Sequence, residues 1–149
     1  MACEIIADGT HVHSLLVEKT MRCKPAGKVI FVTDSNFGAG LPPGKYVLPD
    51  TLEKVRISNP NNGIRFIDRI GLVGSALTPL DVFRNAIRLF GKDIAAASRL
   101  CSLNPAILMN LNKGEIGVGR DADLIILTPE LELTHTIVGG KVLYATSAL

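Results

Sequence analysis

Residues 28–34 read KVIFVTD, four consecutive β-branched or aromatic side chains, Val29 to Val32, running into Thr33-Asp34. A strand this apolar on both faces belongs to a sheet covered on both sides, which is the signature of parallel α/β structure. Upstream, EIIA (4–7) is a second short apolar run, ending at the turn dipeptide Asp8-Gly9. Between the two, SLLVEKTMRC (14–23) carries apolar side chains at Leu15, Leu16, Val17 and Met21, with Ser14 as the expected N-cap of a short helix. The order strand, helix, strand predicts a parallel pair.

Downstream the pattern changes. From Ser35 to Gly71, Pro42-Pro43-Gly44, Pro49-Asp50 and Asn59-Pro60-Asn61-Asn62-Gly63 separate short segments, KYVL, EKVRI and IRFI. These predict small antiparallel strands joined by turns, forming a lobe inserted after the second parallel strand. Helices return at Thr78-Pro79-Leu80-Asp81, which places threonine at the N-cap, proline at N1 and an acid in the first turn of a periodic run stopping at Gly91. A second helix is expected over about 93–101 and a third from Asn104-Pro105, with the same start chemistry. In the tail, LIIL (124–127) reads as a core strand, LELTHTIV alternates, and Gly139-Gly140 reverses the chain into KVLY. The tail and the 44–67 insertion are expected to form one β-sandwich lobe.

Composition excludes several classes. The chain has 149 residues, 47% hydrophobic and 20% charged, enough for a cored unit and unlike a disordered segment. Sixteen Lys and Arg against fourteen Asp and Glu are scattered without aromatic interleaving, which argues against a nucleic-acid partner. Cys3, Cys23 and Cys101 are odd in number and lack a CxxC spacing, fitting reduced thiols. No apolar run approaches the ~18 residues of a membrane span, and the start Met1-Ala-Cys-Glu does not read as a signal peptide. A cytoplasmic protein with no membrane partner is expected.

Three places could carry chemistry. Asp34 stands at the carboxyl end of the KVIFV strand, where parallel α/β folds gather reactive groups, and serves there as a general base, a metal ligand or merely the cap of its own turn. His11 and His13 follow the preceding strand end, and an extended His-x-His pair projects to one face. A zinc site needs three or four ligands, however, and His135 in the tail is the one further histidine. Gly71-Leu72-Val73-Gly74-Ser75 offers backbone with little side-chain obstruction, fit for a ligand or for a plain turn.

Three motifs in order, IIADGTHVH, KVIFVTDSNFGAGLPPGKY, and GLVGSALTPLDVFRNAI with the tail NPAILMNLNKGEIGVGRDADLIILTPELELTHTIVGGKVLY, resemble the C-terminal part of the N-acetylglucosamine-6-phosphate deacetylases of the amidohydrolase superfamily. The resemblance covers about residues 4–144. Its tail, Gly-x-Ile-x-x-Gly-x-x-Ala-Asp-Leu-Ile, is similar to a superfamily hallmark, while Asp-Gly-x-His, Thr-Asp and Gly-Ser-Ala-Leu-Thr point to the deacetylases.

The resemblance implies a (β/α)8 barrel with a small β-sandwich, of which this chain holds the last two barrel strands and following helices: residues 1–43 and 71–113 as partial barrel, 44–70 and 114–149 as sandwich. It implies that EIIA is strand 7 and KVIFV strand 8. It further implies that Asp34 deprotonates a metal-bound water and then protonates the departing amine. Asp8, Gly9, Thr10 and His11 match one substrate-contacting loop, and Leu72, Val73 and Gly74 another. Ser35 departs from the alanine common in the family. The His-x-His pair is not the metal pair of a first barrel strand. Only 20 residues separate His13 from Asp34, whereas each βα unit takes roughly 30. The implied metal, zinc or iron, has its ligands outside this chain, so no residue here is expected to bind it.

The leading expectation is therefore a C-terminal portion of a hydrolase that converts N-acetylglucosamine 6-phosphate to glucosamine 6-phosphate and acetate, inactive alone. Its partners would be an amino-sugar phosphate and either the missing N-terminal barrel portion or a second copy in a homo-oligomer. A non-catalytic interaction module, or part of a deaminase or dihydroorotase type amidohydrolase, is the alternative.

Overall fold

The computed structural model describes residues 1–146, which fall into two units, Met1–Cys101 and a second beginning at Ser102. In the first, β1 (Cys3–Ile6), α1 (Ser14–Cys23) and β2 (Val29–Val32) form the expected strand-helix-strand unit. β1 and β2 pair in parallel, Cys3 opposite Val29 through Ile6 opposite Val32. Val29, Ile30 and Phe31 are each no more than 4% exposed. Both faces of β2 are thus covered, as its unbroken apolar sequence requires.

The core beneath this pair is built from Ile5, Val17, Val29 and Phe31 together with Leu77, Val82, Ala86, Ala97 and Leu100. The last five belong to α2 (Pro79–Arg88), α3 (Ile94–Ser98) and the segments flanking them. Phe31 meets Phe90 edge to face with ring centres 5.4 Å apart, a favoured aromatic geometry. α2 starts as its sequence predicts. The Thr78 hydroxyl accepts from the Asp81 amide at 3.2 Å, and the Asp81 carboxylate accepts from the Thr78 amide at 2.8 Å, a reciprocal capping box.

β3 (Gly44–Val47), β4 (Lys54–Ile57) and β5 (Ile64–Phe66) form the antiparallel sheet expected of the insertion. Their core is Leu48, Val55, Ile57, Ile64 and Ala76. In the second unit, α4 (Asn104–Leu108) is followed by β6 (Leu124–Leu127), β7 (Leu133–Val138) and β8 (Lys141–Ala145), an antiparallel meander closed by Gly139 and Gly140, both at positive φ. Lys113 lies 2.5 Å from Asp123 and 3.6 Å from Asp121, and Asp123 also accepts from the Gly139 amide.

Three expectations are corrected. The N-cap of α1 is His13, whose Nδ1 accepts from the Leu15 amide at 3.3 Å, not Ser14, which is already helical. Asn104 does not cap α4: Leu103 before it is helical, and Arg99–Leu103 winds as a π-turn. Pro105 has no N–H to give the Cys101 carbonyl and its ring crowds that position, and a widened turn relieves the conflict. LIIL is not a core strand among the described residues, since Ile125 and Ile126 are 50% and 47% exposed. Its sequence cannot distinguish a face that is covered from one that awaits cover.

Candidate functional site

Because β1 and β2 run parallel, the loops after Ile6 and Val32 leave from the same edge of the pair. The first loop is organised by Asp8. Its carboxylate is fully buried; Oδ1 accepts from the amides of Thr10 and His11, both at 2.9 Å, and Oδ2 lies 2.6 Å from His11 Nδ1. This is an aspartate folding its own turn, the Asx geometry, with the imidazole added as a third donor. Gly9 takes φ +73 within it. The ring thus meets the turn through Nδ1, and Nε2 is the ring nitrogen that Asp8 leaves unengaged. The His11 side chain is 16% exposed.

Asp34, at the end of β2, is exposed and sits in the left-handed region at φ +49. That conformation costs a non-glycine residue roughly 1–2 kcal/mol, somewhat less for Asp, and concentrates at functional positions. The 72–75 segment holds it there. The Ser75 amide donates to the Asp34 carbonyl at 2.9 Å, the Ser75 hydroxyl donates to the Thr33 carbonyl and accepts from the Leu77 amide, and Asn36 Nδ2 donates to the Val73 carbonyl at 2.6 Å. Gly74, at φ +65, lies so close that a β-carbon there would stand 2.7 Å from the Asp34 carbonyl oxygen and 3.6 Å from Oδ2.

The two loops meet through a third. Ile64 exchanges backbone hydrogen bonds with Val73 and Gly74. A β-carbon at Gly63 would lie 2.9 Å from Leu72, 3.4 Å from His11 Cε1 and 3.5 Å from the Gly74 carbonyl. All the residues expected at the site, Asp8 to His11, Asp34 and Leu72 to Gly74, are therefore brought to one rim. Asp8 differs from the rest in having its carboxylate oxygens engaged and buried. His13 is spent on the α1 cap, and His135 lies on β7 in the other unit. Two surface concavities, of about 160 and 300 Å³, lie elsewhere, lined by the Glu53–Arg69 pair and its neighbours and by one face of α1.

The amidohydrolase family model matches residues 2–143. The chain belongs to the amidohydrolase family. Among its relatives, N-acetylglucosamine-6-phosphate deacetylase of Lysinibacillus sphaericus is 32% identical over 97% of this chain and 36% of its own length. That of Danio rerio is 33% identical over 92% of this chain and 33% of its own. This amidohydrolase chain thus spans about a third of the length of these relatives. A putative N-acetylgalactosamine-6-phosphate deacetylase of Escherichia coli K12, 29% identical, is covered over 80% of its length. The solved N-acetylglucosamine-6-phosphate deacetylase of Thermotoga maritima superposes with a TM-score of 0.81 at 29% identity, over 97% of this chain and 39% of that one.

Amidohydrolases are generally metal-dependent. The described residues of this amidohydrolase do not by themselves fit a metal centre: among them no three His, Cys, Asp or Glu side chains cluster suitably, and Nδ1 of both His11 and His13 is occupied. No described helix is long and apolar enough to cross a membrane.

Sequence reading missed Asn36, Asn61, Gly63 and Asn85 at this rim. Asn85 Nδ2 donates to the Ala7 carbonyl at 2.8 Å and to Asn61 Oδ1 at 2.7 Å. One signal was available: Val82, Asn85 and Ala86 share the buried stripe of α2, and an amide on an apolar stripe needs a partner.

Proposed function

We propose that the chain is the C-terminal third of an N-acetylated amino-sugar 6-phosphate deacetylase, with β1 and β2 as strands 7 and 8 of a (β/α)8 barrel and residues 44–70 and 114–149 as its share of a β-sandwich. The observation that carries this reading is Asp34: a strand-end carboxylate, exposed, held at positive φ and braced by Gly74 beside the His11 loop. A carboxylate so placed takes the proton of an attacking water and returns it to the departing amine, so that an amide leaves as acetate and a free amine. His11 and the Leu72 to Gly74 backbone contact the sugar. Gly9 and Thr10 shape that contact, and Asp8 acts through His11.

Zinc or iron is the metal of the complete enzyme, held by ligands outside these residues. The chain alone is inactive and works with the N-terminal barrel portion, as part of one polypeptide or in a homo-oligomer. Three free thiols fit a reducing, cytoplasmic setting. Relatives named for the glucosamine and the galactosamine substrate both match, so both epimers belong in the assay.

The test is a chimera in which this chain replaces the matching segment of the Lysinibacillus enzyme. It should release acetate from N-acetylglucosamine 6-phosphate or its galacto epimer, and Asp34→Asn should lower the rate at least about 100-fold. A folded chimera without deacetylase activity, or one indifferent to Asp34→Asn, overturns the reading.

A further inference from the structure

We propose that Asp8, Asn61 and Asn85 form a positioning unit that fixes the proton of His11 on Nδ1 and presents Nε2 to the rim. The Asp8 side of this unit is local. Oδ1 is filled by two backbone donors and Oδ2 meets Nδ1 at 2.6 Å, with the Asp8 side chain out of solvent. The hydrogen bond at one ring nitrogen decides which nitrogen carries the proton.

The other side reaches across the unit. Asn85 Nδ2 uses one hydrogen on the Ala7 carbonyl, immediately before Asp8, and the other on Asn61 Oδ1. The Asn61 carbonyl accepts from Thr10 Oγ1 at 2.6 Å, closing a ring of contacts around the loop. Two residues further on, Gly63 leaves room for the Cε1 edge of His11 and for Leu72. Asn85 is 5% exposed and both its amide hydrogens are used. An aspartate there would set an oxygen against two acceptors, whereas a merely space-filling residue would tolerate that isosteric change.

The chemistry follows from the proton. With Nδ1 as donor to Asp8, a neutral His11 offers Nε2 as an acceptor for a sugar hydroxyl. Asp8 and Asn61 are thus positioning residues that do not touch substrate, and Asn85 holds their loop. Their role in the reaction rests on the deacetylase reading; the proton placement does not.

The experiment is a long-range ¹H–¹⁵N correlation spectrum of the labelled chain at pH 8, with His11 assigned by its loss in His11→Gln. A ring with its proton on Nδ1 supports the unit. A ring protonated on Nε2 alone, or averaging between the two nitrogens, overturns it. In Asn85→Asp, exchange of the Thr10 and His11 amides should quicken at least about tenfold while His13 is unmoved; unchanged exchange refutes the role of Asn85. In an active chimera, Asn85→Asp should lower kcat/KM in step with loss of the fixed tautomer. A chimera that is inactive while the Nδ1 proton is seen removes the deacetylase reading and leaves the positioning unit standing.

Discussion

Replacing Gly74 by alanine tests the contact that braces Asp34. Two costs combine. At φ +65 an L side chain meets its own backbone, a penalty of roughly 1–2 kcal/mol. The new β-carbon would also stand 2.7 Å from the Asp34 carbonyl oxygen, a backbone atom that cannot swing aside as a side-chain tip can. Relieving that overlap stretches the 2.9 Å bond from the Ser75 amide to the same oxygen, at about 1 kcal/mol more. The sum is about 2–3 kcal/mol. Gly91 is the matched control, because it takes φ +63 yet a β-carbon there meets nothing within 4 Å. Gly91→Ala therefore isolates the backbone cost.

The assay is urea unfolding followed on the Ile30 and Phe31 amides of β2, which report the first unit alone. With a urea slope of about 2 kcal/mol per molar, Gly74→Ala should lower the midpoint by about 1–1.5 M and Gly91→Ala by about half as much. Coincident midpoints would show that Gly74 does not press on Asp34, and the bracing of the carboxylate would fall with it.

Other outcomes follow from single features. Thr78→Ala removes one half of the α2 capping box and should cost about 1 kcal/mol in the same unfolding assay. Leu77→Ala, at a site with no exposure, should cost about 2–5 kcal/mol as a cavity opens beneath β2. Desolvation pushes the partly buried Cys101 thiol up to about 12, so at pH 8 a thiol reagent should modify exposed Cys23 well before Cys101; equal labelling rates in the native chain would contradict the raised value. The raised Cys101 value also sets a sign. The folded chain holds that proton longer than the unfolded one, so stability is retained below the ordinary thiol range and falls as pH rises through it toward 12, a slope that Cys101→Ala should flatten.

The parts of the molecule legible in the sequence are those decided by neighbours in the chain. Val29 to Val32 need cover on both faces whatever surrounds them, and Thr78 to Asp81 carry a complete helix start within four residues. The Asp8 turn is equally local, and its Asp-Gly dipeptide announced it. What stayed hidden depends on partners brought near by folding. Asn85 and Ala7 are 78 positions apart, and nothing in either residue names the other. The same limit explains His13: its ring is a poorer cap by composition than Ser14, yet the chain enters α1 one residue earlier and the imidazole takes the post. It explains LIIL too, where an apolar sequence records a need for cover without recording whether the cover lies in these residues. The rim is thus assembled from two kinds of instruction. Left-handed backbone at Asp34, Gly63 and Gly74 sets the local path of the loops, and distant amides, Asn36, Asn61 and Asn85, tie those loops to one another. Substitutions of the first kind should damage stability and site together, whereas Asn85→Asp should loosen the Asp8 loop and the proton of His11 while the Asp34 and Gly74 backbone keeps its path. That separation distinguishes a site that is merely folded from one that is poised.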